Sequence, residues 1–104
     1  MEETHSRTDA QTHSALHVAV VSPEAVLFEG DAASVVAPAF DGLIGILPRH
    51  APLLALLGRG VLTLKAAGGS RRFRVGGGFI QVRANRVRVV AEEAAAIDGS
   101  EGVS

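Results

Sequence analysis

The chain has no cysteine, no tryptophan and no tyrosine. Without cysteine, disulfides and thiolate-bound metals are excluded, and the redox compartment is left unmarked. Phenylalanine is the one large aromatic left to stack on a nucleobase, and there are four of them, which is sparse for a nucleic-acid sheet. An excess of charge of either sign is also missing: ten Lys and Arg stand against eleven Asp and Glu, for a formal net charge of -1. That balance calls for neither a polyanion nor an acidic membrane surface. No apolar run approaches the roughly 20 residues of a membrane-spanning helix. The polar stretch 1–14 has no apolar centre of the kind a secretory signal needs. Together these absences point to a cytoplasmic protein whose contact with any membrane machine would be peripheral.

What is present is a hydrophobic fraction of 47% and a charged fraction of 20% over 104 residues, enough for one folded domain. Beyond Met1, segment 1–14 has Ala10 as its one apolar side chain and reads as a disordered tail. His5, His13 and His17 lack the spacing of a metal site and read as incidental.

From residue 15 to 96 short strand signals follow one another. The run 16–21 stops at Ser22-Pro23, and 25–29 ends at the turn pair Gly30-Asp31. The run 34–37 breaks at Pro38; 43–47 follows Asp41-Gly42 and ends at Pro48. The run 53–57 meets Gly58, and 61–65 turns through Gly68-Gly69 into 71–75. Gly76-Gly77-Gly78 separates that run from 79–83, and Ala84-Asn85 turns into 86–90. Proline and glycine at these places are strand terminators. Segment 91–96 is alanine-rich and helix-prone but too short to hold a helix, so it is expected to fray, with 97–104 as a C-terminal tail. No window keeps a helical apolar stripe. The expected fold is all-β: a two-sheet antiparallel β-sandwich of nine or ten short strands.

The strands do not all alternate alike. Phe73 and Val75 oppose Arg72 and Arg74, Ile80 and Val82 oppose Gln81 and Arg83, and Val87 and Val89 oppose Arg86 and Arg88. Those strands have a dry face and a wet face. In 43–47 and 53–57 both parities are apolar: Leu43, Ile44, Ile46, Leu47, then Leu53, Leu54, Leu56, Leu57. A strand of a two-layer sandwich has one inner face, so the surplus points outward or lies beneath a loop. An outward apolar patch of a few hundred Å² marks a partner surface.

Chemistry is thinly represented. Gly76-Gly77-Gly78 leads into a strand, lacks the Lys-Ser/Thr of a phosphate loop, and reads as a positive-φ turn with another backbone close by. Ser22, Ser34, Thr63 and Ser70 stand singly, and Glu92-Glu93 reads as a solvated pair. His50 has no sequence neighbour that would make it catalytic and reads as a loop histidine bonded to backbone or to a partner. Six arginines from Arg71 to Arg88 form a basic face if their strands are neighbours. Nothing assigns a catalytic residue, a cofactor or a metal.

Leu16-His17-Val18-Ala19-Val20-Val21-Ser22-Pro23-Glu24, followed by Phe28-Glu29-Gly30, resembles the opening of the epsilon subunit of F-type ATP synthase. Gly45-Ile46-Leu47-Pro48-Arg49-His50-Ala51-Pro52-Leu53-Leu54 is similar to the most distinctive stretch of that family. Gly77-Gly78-Phe79 and Asn85-Arg86-Val87-Arg88-Val89-Val90-Ala91-Glu92 follow in family order. The resemblance spans about residues 15–96. It implies a ten-stranded sandwich on the central stalk of a rotary motor, peripheral on the cytoplasmic face of a bacterial membrane. It implies two partners, the gamma subunit and the loops of the c-ring, with ATP made or hydrolysed in other subunits. Carried over by position, Ser22, His50, Ala51, Pro52 and Ala55 would face gamma, and Asp41, Gly42 and Leu43 would face the c-ring.

Three positions depart from the family. Leu43 replaces a usual acidic residue, leaving Asp41 as the only local carboxylate. Arg49 replaces the usual glycine after Pro48. Ile97-Asp98-Gly99-Ser100 opens like the family's nucleotide-binding signature, but Glu101-Gly102 stands where Arg-Ala would complete it. The expectation is a short form without the C-terminal helical pair, without ATP binding and without helical autoinhibition. Two further readings compete: a free-standing adaptor using the leucine-rich surface, and a nucleic-acid-binding sandwich using the arginines.

Overall fold

A computed structural model describes residues 15–97. Seven strands follow in order: β1 (Leu16–Val21), β2 (Val26–Ala39), β3 (Gly42–Ile46), β4 (Leu53–Leu56), β5 (Gly60–Ala66), β6 (Gly69–Arg83) and β7 (Arg86–Ala96). The tails expected at 1–14 and 97–104 lie outside the described residues, Ile97 excepted.

The strand count is lower than expected because three strands are long and serve both layers. Residues 26–32 of β2 pair with β1, and residues 32–39 pair with β5 and β3. Residues 69–75 of β6 pair with β5, and residues 79–82 pair with β4. Strand β7 follows β6 along its whole length, from Arg86 opposite Arg83 to Ala96 opposite Phe73. One layer, called here the β1 layer, runs β4, β6, β7, β1, β2; the β3 layer runs β3, β2, β5, β6, β7. Counted by layer there are ten strand segments. All pairings are antiparallel except β1 with β7, which is parallel.

Four local expectations are corrected. Gly30 and Asp31 do not turn; they stay in β2 opposite Val18 and His17. The chain reverses instead at Ser22–Ala25, closed by hydrogen bonds in both directions between those two backbones, and β2 bends where its register shifts between Ala32 and Ser34. Pro38 does not break β2. Its carbonyl accepts from Gly58 N–H at 2.7 Å, so its nitrogen points away from β3 and the β3 ladder needs no donor from it. Gly76-Gly77-Gly78 does not separate two strands; it is the corner at which β6 changes layers. Gly77 and Gly78 have φ of 74° and 101°, and a side chain on Gly78 would run into the Val90 carbonyl. The positive-φ, close-approach reading of these glycines therefore holds. Finally, 91–96 is strand. Ala94, Ala95 and Ala96 pair with Val75, Arg74 and Phe73, and pairing outweighs the helix propensity of so short a run.

The core lies between the layers. Val18, Val20, Ile80, Val82, Val87 and Val89 of the β1 layer meet Val35, Ile46, Leu62, Leu64, Phe73 and Val75 of the β3 layer, all buried. The Phe28 and Phe73 rings, one from each layer, meet edge to face with centroids 6.4 Å apart. Arg71 lays its guanidinium 5.4 Å above the Phe28 ring and closes that rim of the core.

Candidate functional site

The excess of apolar residues in 43–57 resolves by strict alternation. Ile44, Ile46, Leu53 and Leu57 face the core, whereas Leu43, Leu47, Leu54 and Leu56 face out. Leu57 is 4% exposed; Leu47, Leu54 and Leu56 are 62%, 69% and 65% exposed. The monomer hides half of the surplus and leaves the other half in water.

Register shows how the exposed half is organised. On the outer face of the β1 layer, Leu56 is opposite Phe79, Phe79 opposite Val90, Val90 opposite Val21, and Val21 opposite Val26. This is a continuous apolar row across five strands, and Leu56, Phe79 and Val26 are open to solvent. Neighbouring side chains two residues along a strand are about 7 Å away on the same face, which brings Leu54 beside Leu56. Leu54, Leu56, Phe79 and Gln81 line one shallow groove. Leu43, Leu47 and Val36 belong to the opposite, β3 layer.

The residues carried over from the family fall at two ends of this face. Arg49, His50, Ala51 and Pro52 lead into β4 at the end where the β6–β7 turn lies. Leu47-Pro48-Arg49-His50 is a type II turn: His50 N–H donates to Leu47 O at 3.1 Å and Arg49 has φ 72°, with proline at its preferred second position. The His50 ring bonds the Ala51 carbonyl through Nδ1 at 2.7 Å, as expected of a loop histidine. Ser22 sits at the far end, where its hydroxyl donates to Glu24 Oε1 at 3.3 Å. Ala55 lies mid-strand and turns toward the core; its neighbours Leu54 and Leu56 are the outward pair. Sequence reasoning passed over Leu56, Phe79, Val21 and Val26 as one set, because only register reveals that they align.

Asp41, Gly42 and Leu43 come together at the β2–β3 hairpin, a two-residue loop closed by the Ala39–Gly42 pair. Phe40 and Asp41 form its tip, with Phe40 78% exposed. Phe40 N–H donates to Leu56 O at 2.9 Å, so the hairpin adjoins the Leu56 end of the apolar row.

The six arginines do not share a face. Arg71 closes the core rim over Phe28. Arg72 and Arg74 lie on the outer face of the β3 layer, whereas Arg83, Arg86 and Arg88 lie on the β1 layer. Among the described residues no polar or charged side chain is buried, and no three His, Cys, Asp or Glu side chains gather to hold a metal.

A sandwich with a groove of leucine and phenylalanine on one outer face defines a class of protein: an all-β domain with an exposed apolar face. Comparison with known proteins assigns it further. Residues 15–97 match the family described as ATP synthase, Delta/Epsilon chain, beta-sandwich domain, and the chain belongs to that family. It is 44% identical over 80 residues to an ATP synthase epsilon chain of Leptospira borgpetersenii, covering 77% of this chain and 63% of that one. It is 47% identical over 83 residues to the ATP synthase epsilon chain of Alkalilimnicola ehrlichii, covering 79% and 59%. The chain thus spans about three fifths of the length of these relatives. The fold is similar to a chain in the mitochondrial ATP synthase of Euglena gracilis, a cryo-EM structure of OSCP, F1 and c-ring, with TM-score 0.75 and 19% identity over 88% of this chain and 57% of that one. It is also similar to a chain of the central stalk and c-ring of the Tetrahymena thermophila enzyme, with TM-score 0.65, 15% identity and coverage of 86% and 73%.

Proposed function

We propose that this chain works as a non-catalytic rotor part of a bacterial F-type ATP synthase. In this reading the outer face of the β1 layer grips the gamma subunit, and the Phe40–Leu43 hairpin meets the c-ring loops at the cytoplasmic side of the membrane. Ion flow through the ring is then coupled to ATP synthesis in other subunits. The observation that carries the reading is the Leu56–Phe79–Val90–Val21–Val26 row: five apolar positions aligned across five strands, ending beside the hairpin. A face of that kind is stabilised by a partner that removes it from water.

The mechanism this supports is mechanical. Ten strand segments closed around one core resist shear, so torque applied at the hairpin reaches the gamma face without loss in a flexible joint. Asp41 supplies the single carboxylate of the tip, between Phe40 and Leu43, in place of the family's acidic residue at position 43. His50, Ala51 and Pro52 flank the gamma face at one end and Ser22 at the other. The reading also includes no ATP site at Ile97–Gly102, since Glu101-Gly102 departs from the nucleotide-binding signature. Nucleic-acid binding loses support from the dispersal of the six arginines.

The test is capture of the cognate gamma subunit by wild-type chain, by Leu54→Asp/Leu56→Asp, and by Val36→Asp on the opposite layer. Loss of capture in the first variant alone is expected, with all proteins folded by circular dichroism. Undiminished capture by a folded Leu54→Asp/Leu56→Asp protein removes this face from the contact. Titration with ATP is expected to give no heat.

A further inference from the structure

Alongside the apolar row the β1 layer carries two rows of charge. In the first, Gln81 is opposite Arg88, Arg88 opposite Ala19, and Ala19 opposite Glu29. In the second, Arg83 is opposite Arg86, Arg86 opposite His17, and His17 opposite Asp31. The face is therefore bipolar: three guanidinium groups over β6 and β7, two carboxylates over β2, and His17 on the border. His17 lies 3.6 Å from Glu29 and 3.4 Å from Asp31. Arg83, Arg86, Arg88, His17 and Glu29 line one shallow concavity.

Among the described residues nothing explains the arginines. Arg83 and Arg86 face each other directly across the β6–β7 pair, and like charges so placed destabilise a sheet. Among the described residues none of the three arginines has an ion-pair partner; the ion pairs there involve His17 with Glu29 and Asp31, and Arg59 with Glu93. All three are exposed, and the concavity shares Gln81 with the apolar groove beside it.

We infer that this concavity is the charged half of the docking face and receives an acidic segment of the partner. Two or more carboxylates of that segment sit over Arg83, Arg86 and Arg88, and a cationic side chain sits toward Glu29 and Asp31. The adjoining apolar side chains of the partner cover Leu54, Leu56 and Phe79. The inference rests on the reading that the β1 layer faces gamma. A guanidinium presents a fork that matches a carboxylate, and such pairs strengthen when neighbouring apolar contacts exclude water. A polypeptide fits better than a free phosphate or nucleotide for two reasons. The Glu29 carboxylate on the lining repels a small anion, and the continuous apolar row calls for a ligand that is part apolar. Opposite charges on one face also fix the direction in which the partner lies, because a reversed partner meets like charge at both ends.

The experiment measures association of the cognate gamma subunit at about 50 mM and about 500 mM salt, a range over which exposed charges become screened. It compares wild type, Arg83→Glu/Arg86→Glu/Arg88→Glu, and Leu54→Asp/Leu56→Asp. The wild-type on-rate is expected to fall about tenfold between the two salts, and the triple-arginine variant to start slow and change little. The exposed positions leave folding intact, which circular dichroism checks. If the triple variant binds with wild-type rate and salt dependence while the leucine variant does not bind, the acidic-segment inference is overturned and the gamma-face reading stands. If the leucine variant also binds like wild type, both fall. Titration of wild type with inorganic phosphate completes the test: micromolar binding that the triple variant loses would mark a small-anion site and overturn the inference.

Discussion

Arg49 N–H donates to Oδ1 of Asn85 at 2.6 Å, and both residues hold left-handed backbone, with φ of 72° and 63°. This bond fastens the β3–β4 turn to the β6–β7 turn across 36 residues of chain. His17 N–H donates to the Asn85 carbonyl at 2.8 Å, so one asparagine ties three elements at one end of the β1 layer. Arginine here accepts strain and keeps the bond, because the donor is backbone and survives any residue but proline.

Arg49→Gly is accordingly expected to raise stability by about 0.5–1 kcal/mol, relieving the left-handed cost while keeping the hydrogen bond. Asn85→Ala is expected to lower stability by about 1–2 kcal/mol, since it removes the acceptor and leaves Arg49 N–H without it. Urea unfolding midpoints of the two variants check both signs; a gain in Asn85→Ala would refute the fastening role.

Gly78→Ala tests the corner of β6. A methyl there meets the Val90 carbonyl at a φ of 101°, combining overpacking with a backbone conformation that alanine avoids. The expected loss is about 3 kcal/mol or more. Gly45, on the open outer face of β3, has nothing within 4 Å of the added carbon. Gly45→Ala is expected to fall within about 0.5 kcal/mol of wild type, and equal effects at the two sites would show that the corner is not tightly packed.

Adjacent leucines separate folding from binding. Leu57→Ala is expected to cost about 2–5 kcal/mol, because it opens a cavity in the core. Leu56→Ala, one residue earlier and facing out, is expected to leave the unfolding midpoint nearly unchanged while weakening gamma capture. Comparable destabilisation by both would mean that Leu56 is covered within the protomer.

Arg71 is the arginine with a structural role. Its guanidinium over Phe28, which in turn meets Phe73, predicts a loss of about 0.5–1 kcal/mol in Arg71→Gln. A double-mutant cycle with Phe28→Leu isolates the pair: the loss on removing Arg71 is expected to vanish in the Phe28→Leu background.

Much of this was legible along the chain. The period-two pattern of Phe73 to Val89 gave every buried valine of β6 and β7 its correct side, and the leucine surplus announced an exposed apolar face. What misled were local stop signals. Gly30-Asp31, Pro38 and Gly76-Gly77-Gly78 read as strand ends, yet each lies inside a strand that bends from one layer to the other. A bend and a turn use the same residues, since both need backbone without a crowding side chain or a required donor. Which of the two forms depends on whether partners lie on both sides, and that information is distant in sequence.

Each strand's inner and outer side, the aliphatic core and the leucines left in water were fixed by the residues along the chain. Those outcomes follow from alternation and composition, which are local. That Leu56, Phe79, Val90, Val21 and Val26 form one row, and that the arginines divide among three places, came from the pairing of the strands. Both depend on which strands are neighbours and in what register, and hydrogen bonds between residues far apart in the chain set those relations.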